Sequence, residues 1–227
     1  MHEESLKELY RLSDGVHRLL DESYGGDERS LRFKPLKKEV GLAAQSLEEI
    51  GKTIEKCTKC NLAKGRTKSV PGEGNHNPSL LVVGEGPGRD EDRTGRPFVG
   101  QAGNYFETWM KAIKLSREGD FFITNIVKCR PPENRDPLNE EIEACLPYLE
   151  RQIELLQPRV ILCLGRVAAY SLLGLSESLT LLRGKKHNYH GIPVVITYHP
   201  AAVLRNLTLR APVWEDLKKV TRLLSEG

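Results

Sequence analysis

Residues 79–88, SLLVVGEGPG, place a short apolar and partly β-branched run (79–84) directly before a glycine-rich loop. A run of this length and composition is typical of a buried strand. Three further runs and two intervening helical patterns follow: strands at 120–127, 159–165 and 193–198, and helices at 102–115 and 139–156. Strands that alternate with helices predict a three-layer α/β/α domain around a central, mostly parallel four-stranded sheet.

Polar motifs follow three of these predicted strands. GEGPG comes after the first, residues 125–132 lie at the end of the second, and His199-Pro200 follows the fourth. Ligands of parallel α/β sheets bind where loops leave the carboxyl ends of the strands. The sequence therefore predicts a functional site at that edge.

The chain of 227 residues is long enough for one α/β domain with an appended segment, but short for two full domains. Residues 46–227 are predicted to form this domain. Leu and Val recur at helical spacing over residues 4–20, and residues 24–38 are rich in glycine and charge. We therefore expect residues 1–45 to form a helical extension and linker.

Composition narrows the class of protein. No stretch approaches the roughly 18 apolar residues of a membrane span, and the amino terminus lacks the apolar core of a secretory signal. A soluble, cytoplasmic protein is expected. The net charge of +3 says little, but residues 178–213 contain no Asp or Glu while carrying Arg and Lys, which favours binding of a polyanion there.

Four of the five cysteines form a candidate metal site. Cys163 lies inside the apolar run VILCLG and is interpreted as core. Cys57 and Cys60 form a CxxC in a lysine-rich turn, while Cys129 and Cys145 lie elsewhere in the pattern. Four thiolates can bind zinc or an iron–sulfur cluster, and spacing does not separate the two. Disulfides are disfavoured in a cytoplasmic chain, and a redox CxxC leaves the other two unexplained.

The loop GEGPGRDEDRTGRPFVGQAG, residues 84–103, is not a nucleotide-phosphate motif. Arg89 stands where the dinucleotide fingerprint requires glycine, Pro87 interrupts the turn, and no GK[ST] follows. What remains is a loop that carries Glu85 and Glu91, followed by Phe98.

Together with TNIVKCRPPENRDP and YHPAAVLRN, this loop resembles the pattern of family 4 uracil-DNA glycosylases, the iron–sulfur branch of that superfamily. The resemblance covers roughly residues 46–220. It implies an enzyme that hydrolyses the N-glycosidic bond of uracil in DNA and so initiates base excision repair. It also implies a structural [4Fe-4S] cluster held by Cys57, Cys60, Cys129 and Cys145.

The resemblance further implies roles for individual residues. Phe98 would stack on the extruded base, Asn125 would read its hydrogen-bonding edge, and His199 would donate to uracil O2 as negative charge develops. The full uracil-binding set is Glu85, Gly86, Pro87, Glu91, Phe98, Asn125 and His199. Catalysis is assigned to His199 with Glu85 and Glu91.

The glycine-rich loop departs from better-known uracil glycosylases. They carry an Asp where this chain has Gly86, and a thymine-excluding Tyr where it has Gly88. The group that activates water is therefore open, with Glu85 and Glu91 as candidates and Glu91 alternatively contacting the base.

Contacts to DNA are predicted after His199. Val203 or Leu204 would wedge into the duplex, and Arg205 would contact phosphate. His187 and His190 are assigned to the surface or the DNA groove. The partner is expected to be single- or double-stranded DNA containing uracil, bound by a monomer, with residues 1–45 available for a repair or replication partner.

Two other functions remain open. A glycosylase for another deaminated base, hypoxanthine or xanthine, is compatible with space in the glycine-rich loop, and a non-catalytic module could bind uracil or DNA. For the enzyme, we expect attack by water without a lysine Schiff base, and hence no strand cleavage.

Overall fold

The computed structural model describes residues 46–226. The extension predicted at residues 1–45, with its helix at 4–20 and linker at 24–38, lies outside the described residues. No helix in the described part of the chain is both long and apolar enough to cross a membrane.

Six strands and nine α-helices form the described domain. The strands are β1 (Glu73–Gly74), β2 (Leu80–Gly84), β3 (Phe121–Asn125), β4 (Val160–Leu164), β5 (His187–Tyr189) and β6 (Ile192–Thr197). The helices are α1 (Leu47–Glu55), α2 (Leu62–Gly65), α3 (Arg89–Thr94), α4 (Gln101–Ala112), α5 (Asn139–Leu156), α6 (Arg166–Leu173), α7 (Leu179–Arg183), α8 (Pro200–Arg205) and α9 (Arg210–Ser225). Short 3₁₀ helices span Pro132–Asn134 and Leu207–Leu209.

The strands form one mixed sheet in the order β1-β3-β2-β4-β6-β5. Its four central strands are parallel, which confirms the predicted α/β fold and its parallel core. The predicted strand count was too low, because β1 and β5 add short antiparallel edges. Strands of two and three residues are too short to show a periodicity, and β5 carries the polar sequence HNY.

The central strands β2, β3 and β4 are buried at every position, which explains their continuous apolar runs. Alternate residues share a face of a strand. On one face of the sheet these residues form the core with α4, α8 and α9. The alternation places Gly84 and Asn125 on this face, paired side by side at the carboxyl ends of β2 and β3.

Helix α5 has the predicted bounds, and α4 ends earlier than predicted, at Ala112. The predicted second strand also ends earlier, at Asn125. Ile126 and Val127 instead donate to the carbonyl oxygens of Gly84 and Glu85, at 2.9 and 3.1 Å. These bonds fix the glycine-rich loop against the end of β3.

Candidate active site

Three side chains meet at the carboxyl edge of the sheet. The rings of Phe98 and His199 lie 5.9 Å apart between centroids, with an interplanar angle of 43°. A Cβ atom placed on Gly84 would lie 2.4 Å from Asn125 Oδ1 and 2.7 Å from Phe98 Cζ. Only glycine fits here, because a side chain at position 84 would overlap both groups. Gly84 therefore allows Phe98 and Asn125 to come close together.

The amide of Asn125 has no hydrogen-bond partner in the described structure. Its Oδ1 and Nδ2 atoms are both buried, and the residue is 1% exposed. An unsatisfied buried polar group costs about 1–3 kcal/mol. An amide offers an acceptor and a donor side by side, so a bound molecule with a matching donor and acceptor would satisfy both atoms.

His199 is held as a neutral hydrogen-bond donor. It caps the amino terminus of α8, and its Nδ1 accepts a hydrogen bond from the Ala201 amide at 3.2 Å. The proton of the neutral ring therefore lies on Nε2. Burial, assisted by the positive charge of Arg205, lowers the pKa of His199 to about 4.

The backbone of Phe98 is clamped from two sides. Phe98 has a φ of 54°, an uncommon conformation for a bulky residue. Arg117 donates to the carbonyl oxygens of Pro97 and Phe98, while the Glu91 carboxylate accepts from the amides of the two residues that follow Phe98.

Arg117 is itself fixed by carboxylates. It is 8% exposed and contacts Glu107 at 2.6 Å and Glu73 at 3.3 Å. Sequence reasoning missed this residue, because nothing in the local sequence LSREGD distinguishes it from a solvated arginine.

Glu91 lies within the loop scaffold. Its Oε1 accepts from Val99 and Gly100, at 2.9 and 2.8 Å, and its Oε2 accepts from Gly88 at 3.1 Å. The carboxylate thus ties the start of α3 to the turn before α4. The Glu91 carboxylate, predicted from the sequence as a candidate catalyst, thus accepts hydrogen bonds from three backbone amides.

Glu85 differs from Glu91 in its surroundings. Burial, with a smaller contribution from the negative charge of Asp136, raises the pKa of Glu85 to about 7, while Arg166 acts in the opposite direction. Arg166 pairs with Asp136 at 2.9 Å. A carboxyl group with this pKa exchanges a proton readily near neutral pH.

Gly86 and Pro87, which the sequence predicts to bind uracil, lie in the same loop. Pro87 is buried, and Gly86 packs so close to Val127 that an added Cβ would lie 2.8 Å from its Cγ2 atom.

The four predicted ligand cysteines line one small cavity. The cavity also includes Ile54, Arg66, Lys128 and Tyr148. None of the five cysteines forms a disulfide in the described structure, and Cys163 lies in β4 as predicted. In the described part of the chain, no three metal-ligating side chains are grouped closely enough to hold one metal ion.

The chemistry of the cavity suits a group that carries positive metal ions. Hydrogen bonds to sulfur are already in place, from Arg66 to Cys129 Sγ at 3.1 Å and from the Lys128 amide to Cys145 Sγ at 3.3 Å. Such bonds stabilise thiolate ligands of iron–sulfur clusters.

Lys128 connects this cavity to Asn125. Lys128 lies in the motif TNIVKCRPPENRDP. The expected mechanism, however, uses water and not a lysine as the nucleophile. Its Nζ donates to Thr124 Oγ1, the Asn125 carbonyl oxygen and Gln152 Oε1, at 2.6, 2.7 and 2.8 Å. Lys128 is 1% exposed, and burial lowers its pKa to about 8. Enclosure by three acceptors makes it a poor nucleophile.

The predicted DNA contacts need one correction. Val203 is fully buried and belongs to the hydrophobic core. It therefore does not reach a duplex, because α8 turns it inward. Leu204 is half-buried and Arg205 is exposed.

The basic stretch at residues 178–213 is partly structural. Arg183 bonds to the buried carboxylate of Asp216 at 2.7 Å and stacks on Tyr198. His187 is half-buried and its Nε2 lies 2.7 Å from the Leu182 carbonyl oxygen, whereas His190 is exposed.

An aromatic ring, an unpaired amide and a neutral imidazole meet at this edge, an arrangement that can hold a planar, hydrogen-bonding molecule. Residues 71–218 match the family described as the Uracil DNA glycosylase superfamily. The chain belongs to this superfamily.

Its curated relatives include several type-4 uracil-DNA glycosylases, which confirms the resemblance to that branch. The protein of Sulfurisphaera tokodaii is 46% identical over 78% of this chain and 84% of its own length. The protein of Archaeoglobus fulgidus is 44% identical, over 79% and 94%. The protein of Thermotoga maritima is 42% identical, over 79% and 95%.

Proposed function

We propose that this chain is a monofunctional uracil-DNA glycosylase that hydrolyses the bond between uracil and deoxyribose, the first step of base excision repair. The observation that carries the proposal is the unpaired, buried amide of Asn125, positioned beside Phe98 and the neutral ring of His199. Membership of the superfamily and the names of the curated relatives support it.

Base recognition is assigned to Asn125 and Phe98. An extruded uracil would stack on the Phe98 ring, with Asn125 Nδ2 donating to O4 and Oδ1 accepting from N3–H. Cytosine carries an amino group in place of O4 and lacks the N3 proton, so the fixed amide would face unmatched groups. The loss of those hydrogen bonds rejects cytosine.

Departure of the base is assigned to His199. As the bond between C1′ and N1 breaks, its electron pair moves onto uracil, and negative charge develops on O2. The Nε2–H of His199 would donate to O2 and stabilise the anion more strongly than the neutral base. A neutral imidazole performs this role throughout the physiological pH range because its pKa is about 4.

Activation of water is assigned to Glu85 rather than Glu91. The ionised carboxylate of Glu85 would accept a proton as water oxygen bonds to C1′. Glu91 has both carboxylate oxygens engaged by backbone amides, so its proposed role is to hold the loop between Gly88 and Gly100.

The proposal includes a [4Fe-4S] cluster on Cys57, Cys60, Cys129 and Cys145. The four cysteines that line one cavity and the two N–H donors directed at sulfur fit this group. Bound iron–sulfur clusters transfer electrons, but hydrolysis of a glycosidic bond transfers none. The cluster's role here is to join the CxxC loop to Cys129 and Cys145. Monomeric action, Leu204 and Arg205 as DNA contacts, and a partner bound through residues 1–45 stay predictions.

The decisive experiment uses a labelled oligonucleotide containing one uracil, incubated with protein and then treated with alkali. Cleavage only after alkali supports the proposal, and loss of activity in Asn125→Ala ties it to this pocket. Parallel oligonucleotides carry hypoxanthine or xanthine. Release of either base instead of uracil favours the alternative substrate, and DNA binding without release of any base favours a non-catalytic module. A covalent adduct trapped with borohydride would contradict monofunctional chemistry.

A further inference from the structure

The segment that carries Cys57 and Cys60 contains several basic residues and no acidic ones. Between Glu55 and Glu73 the sequence contains no acidic residue. Four exposed lysines lie in this segment and are called here the cysteine-loop lysines: Lys56, Lys59, Lys64 and Lys68. Among the described residues, none of their ammonium groups forms an ion pair or hydrogen bond with a protein group, although Lys59 lies 5.3 Å from the centroid of the Tyr148 ring.

The segment lies at the same edge of the sheet as the base pocket. The Thr67 amide donates to Asp92 in α3, the helix of the glycine-rich loop, at 2.9 Å. The Val70 amide donates to the Lys128 carbonyl oxygen, just beyond the end of β3, at 2.8 Å. Lys68 packs beside Gly95. These contacts fasten the segment to both loops that build the pocket.

The cysteine loop is held in a defined shape. Arg66 joins the loop to α1 and to the segment after β3. Its guanidinium donates to the Glu55 carbonyl oxygen at 2.6 Å and to Cys129 Sγ at 3.1 Å. A surface depression of about 470 Å³ lies on the loop, lined by Thr58, Lys59, Cys60, Asn61, Ala63, Lys64 and Glu140. Hydroxyl, amide and ammonium groups therefore line this depression together with the Glu140 carboxylate, and the space is large enough for a phosphate group.

We propose that the cysteine-loop lysines contact the phosphates of the DNA strand that flanks the extruded nucleotide. This inference rests on the proposed function, because DNA must bend its backbone toward the pocket to deliver a base there. Lysines that neutralise phosphates supply affinity without reading sequence. The loop lies beyond β3 and Arg205 lies beyond β6, three strand spacings or about 14 Å away. Together they give the DNA contacts on both sides of the pocket.

The test measures binding of undamaged and uracil-containing oligonucleotides at several salt concentrations. Each of the four lysines is replaced by glutamine, alone and together. For duplex DNA, the slope of log K against log salt should become shallower by about 0.9 for each phosphate that the variant no longer neutralises. Single-turnover excision at saturating DNA and inhibition by free uracil should stay unchanged, because the pocket is untouched.

Lys111→Gln is the matched control, since Lys111 is an exposed lysine near the end of α4, away from the carboxyl edge of the sheet. Lys→Arg variants keep the charge and should keep the slope, which separates loss of charge from loss of folding. A combined variant with the slope of the wild type would overturn the inference. The wild type could excise no uracil while the combined variant still shows a shallower slope of log K against log salt. The proposed function would then be wrong, and the assignment of the lysines to DNA binding would be supported.

Discussion

Arg117 donates to the carbonyl oxygens of both Pro97 and Phe98, at 2.9 and 3.3 Å. This pair of bonds holds Phe98, the residue proposed to stack on the base, in its left-handed backbone conformation. The close packing of α4 helps, because a Cβ on Gly103 would lie 2.2 Å from the Phe98 carbonyl group. The orientation of the ring is thus set before a base arrives.

Replacing Arg117 with methionine should therefore weaken both folding and base binding. Glu107 and two carbonyl groups lose their shared donor, at a cost of about 1–3 kcal/mol for each buried group left unpaired. We expect a lower free energy of unfolding and weaker inhibition by free uracil, measured by denaturation and competition.

Arg96→Gln is the control for this change. Arg96 also pairs with Glu73 but is largely exposed and does not contact the Phe98 backbone. Its loss should cost at most about 1 kcal/mol and leave uracil inhibition unchanged. Equal uracil affinity in Arg117→Met and the wild type would show that the clamp does not position the ring.

His199→Ala should lower the single-turnover rate by about 10²–10³-fold, the effect of removing one transition-state donor. DNA binding should change far less, because the bond to O2 strengthens as charge develops. His187→Ala removes a histidine that contacts the Leu182 carbonyl oxygen outside the pocket and should keep the rate. An unchanged rate in His199→Ala would reject its role as the donor.

The pH dependence should report Glu85. Its pKa is raised to about 7, so the carboxyl group is protonated below that pH and becomes a proton acceptor above it. The single-turnover rate should rise with pH through about 7, whereas His199 stays neutral and adds no inflection above about pH 5.

Single-turnover rates measured from about pH 5 to about pH 9 test this assignment. Glu85→Gln should give a lower rate without the inflection near pH 7. Glu91→Gln keeps the shape of the side chain, and any loss of rate should leave the inflection in place. An inflection that survives in Glu85→Gln would assign water activation to another group.

Lys128→Met should destabilise the domain and loosen the base-reading site. Thr124, the Asn125 carbonyl oxygen and Gln152 would lose their common donor. Each unsatisfied buried group costs about 1–3 kcal/mol. We expect a lower melting temperature and a smaller preference for uracil over cytosine in competition binding. Lys52→Met, on the exposed face of α1, should match the wild type in both measurements.

Cys57→Ala should lose bound iron, acid-labile sulfide and much of the soluble protein, because the cluster joins separate segments. Cys163→Ala is the matched control, since Cys163 lies inside β4 and apart from the cavity. It should retain iron at a small cost in stability. Full iron content in Cys57→Ala would remove Cys57 from the ligand set.

Sequence alone determined the order of the central strands and major helices along the chain. Apolar runs such as LLVVG mark buried strands because both sheet faces are covered, and the bounds of α5 follow from its periodicity. The resemblance of the motifs to family 4 glycosylases also singled out Phe98, Asn125 and His199, and these three side chains meet at the carboxyl edge of the sheet. The strands and helices are local features, so neighbouring residues carry their signal.

Only the tertiary structure decided which side chains meet. Arg117 reaches Phe98 across 19 positions, and Gln152 reaches the Pro71 carbonyl oxygen across 81. The inward turn of Val203 likewise depends on how α8 packs against the sheet. Hydrogen-bond partners distant in sequence are brought together by burial of the whole core, and no local pattern of charge or hydropathy records that choice.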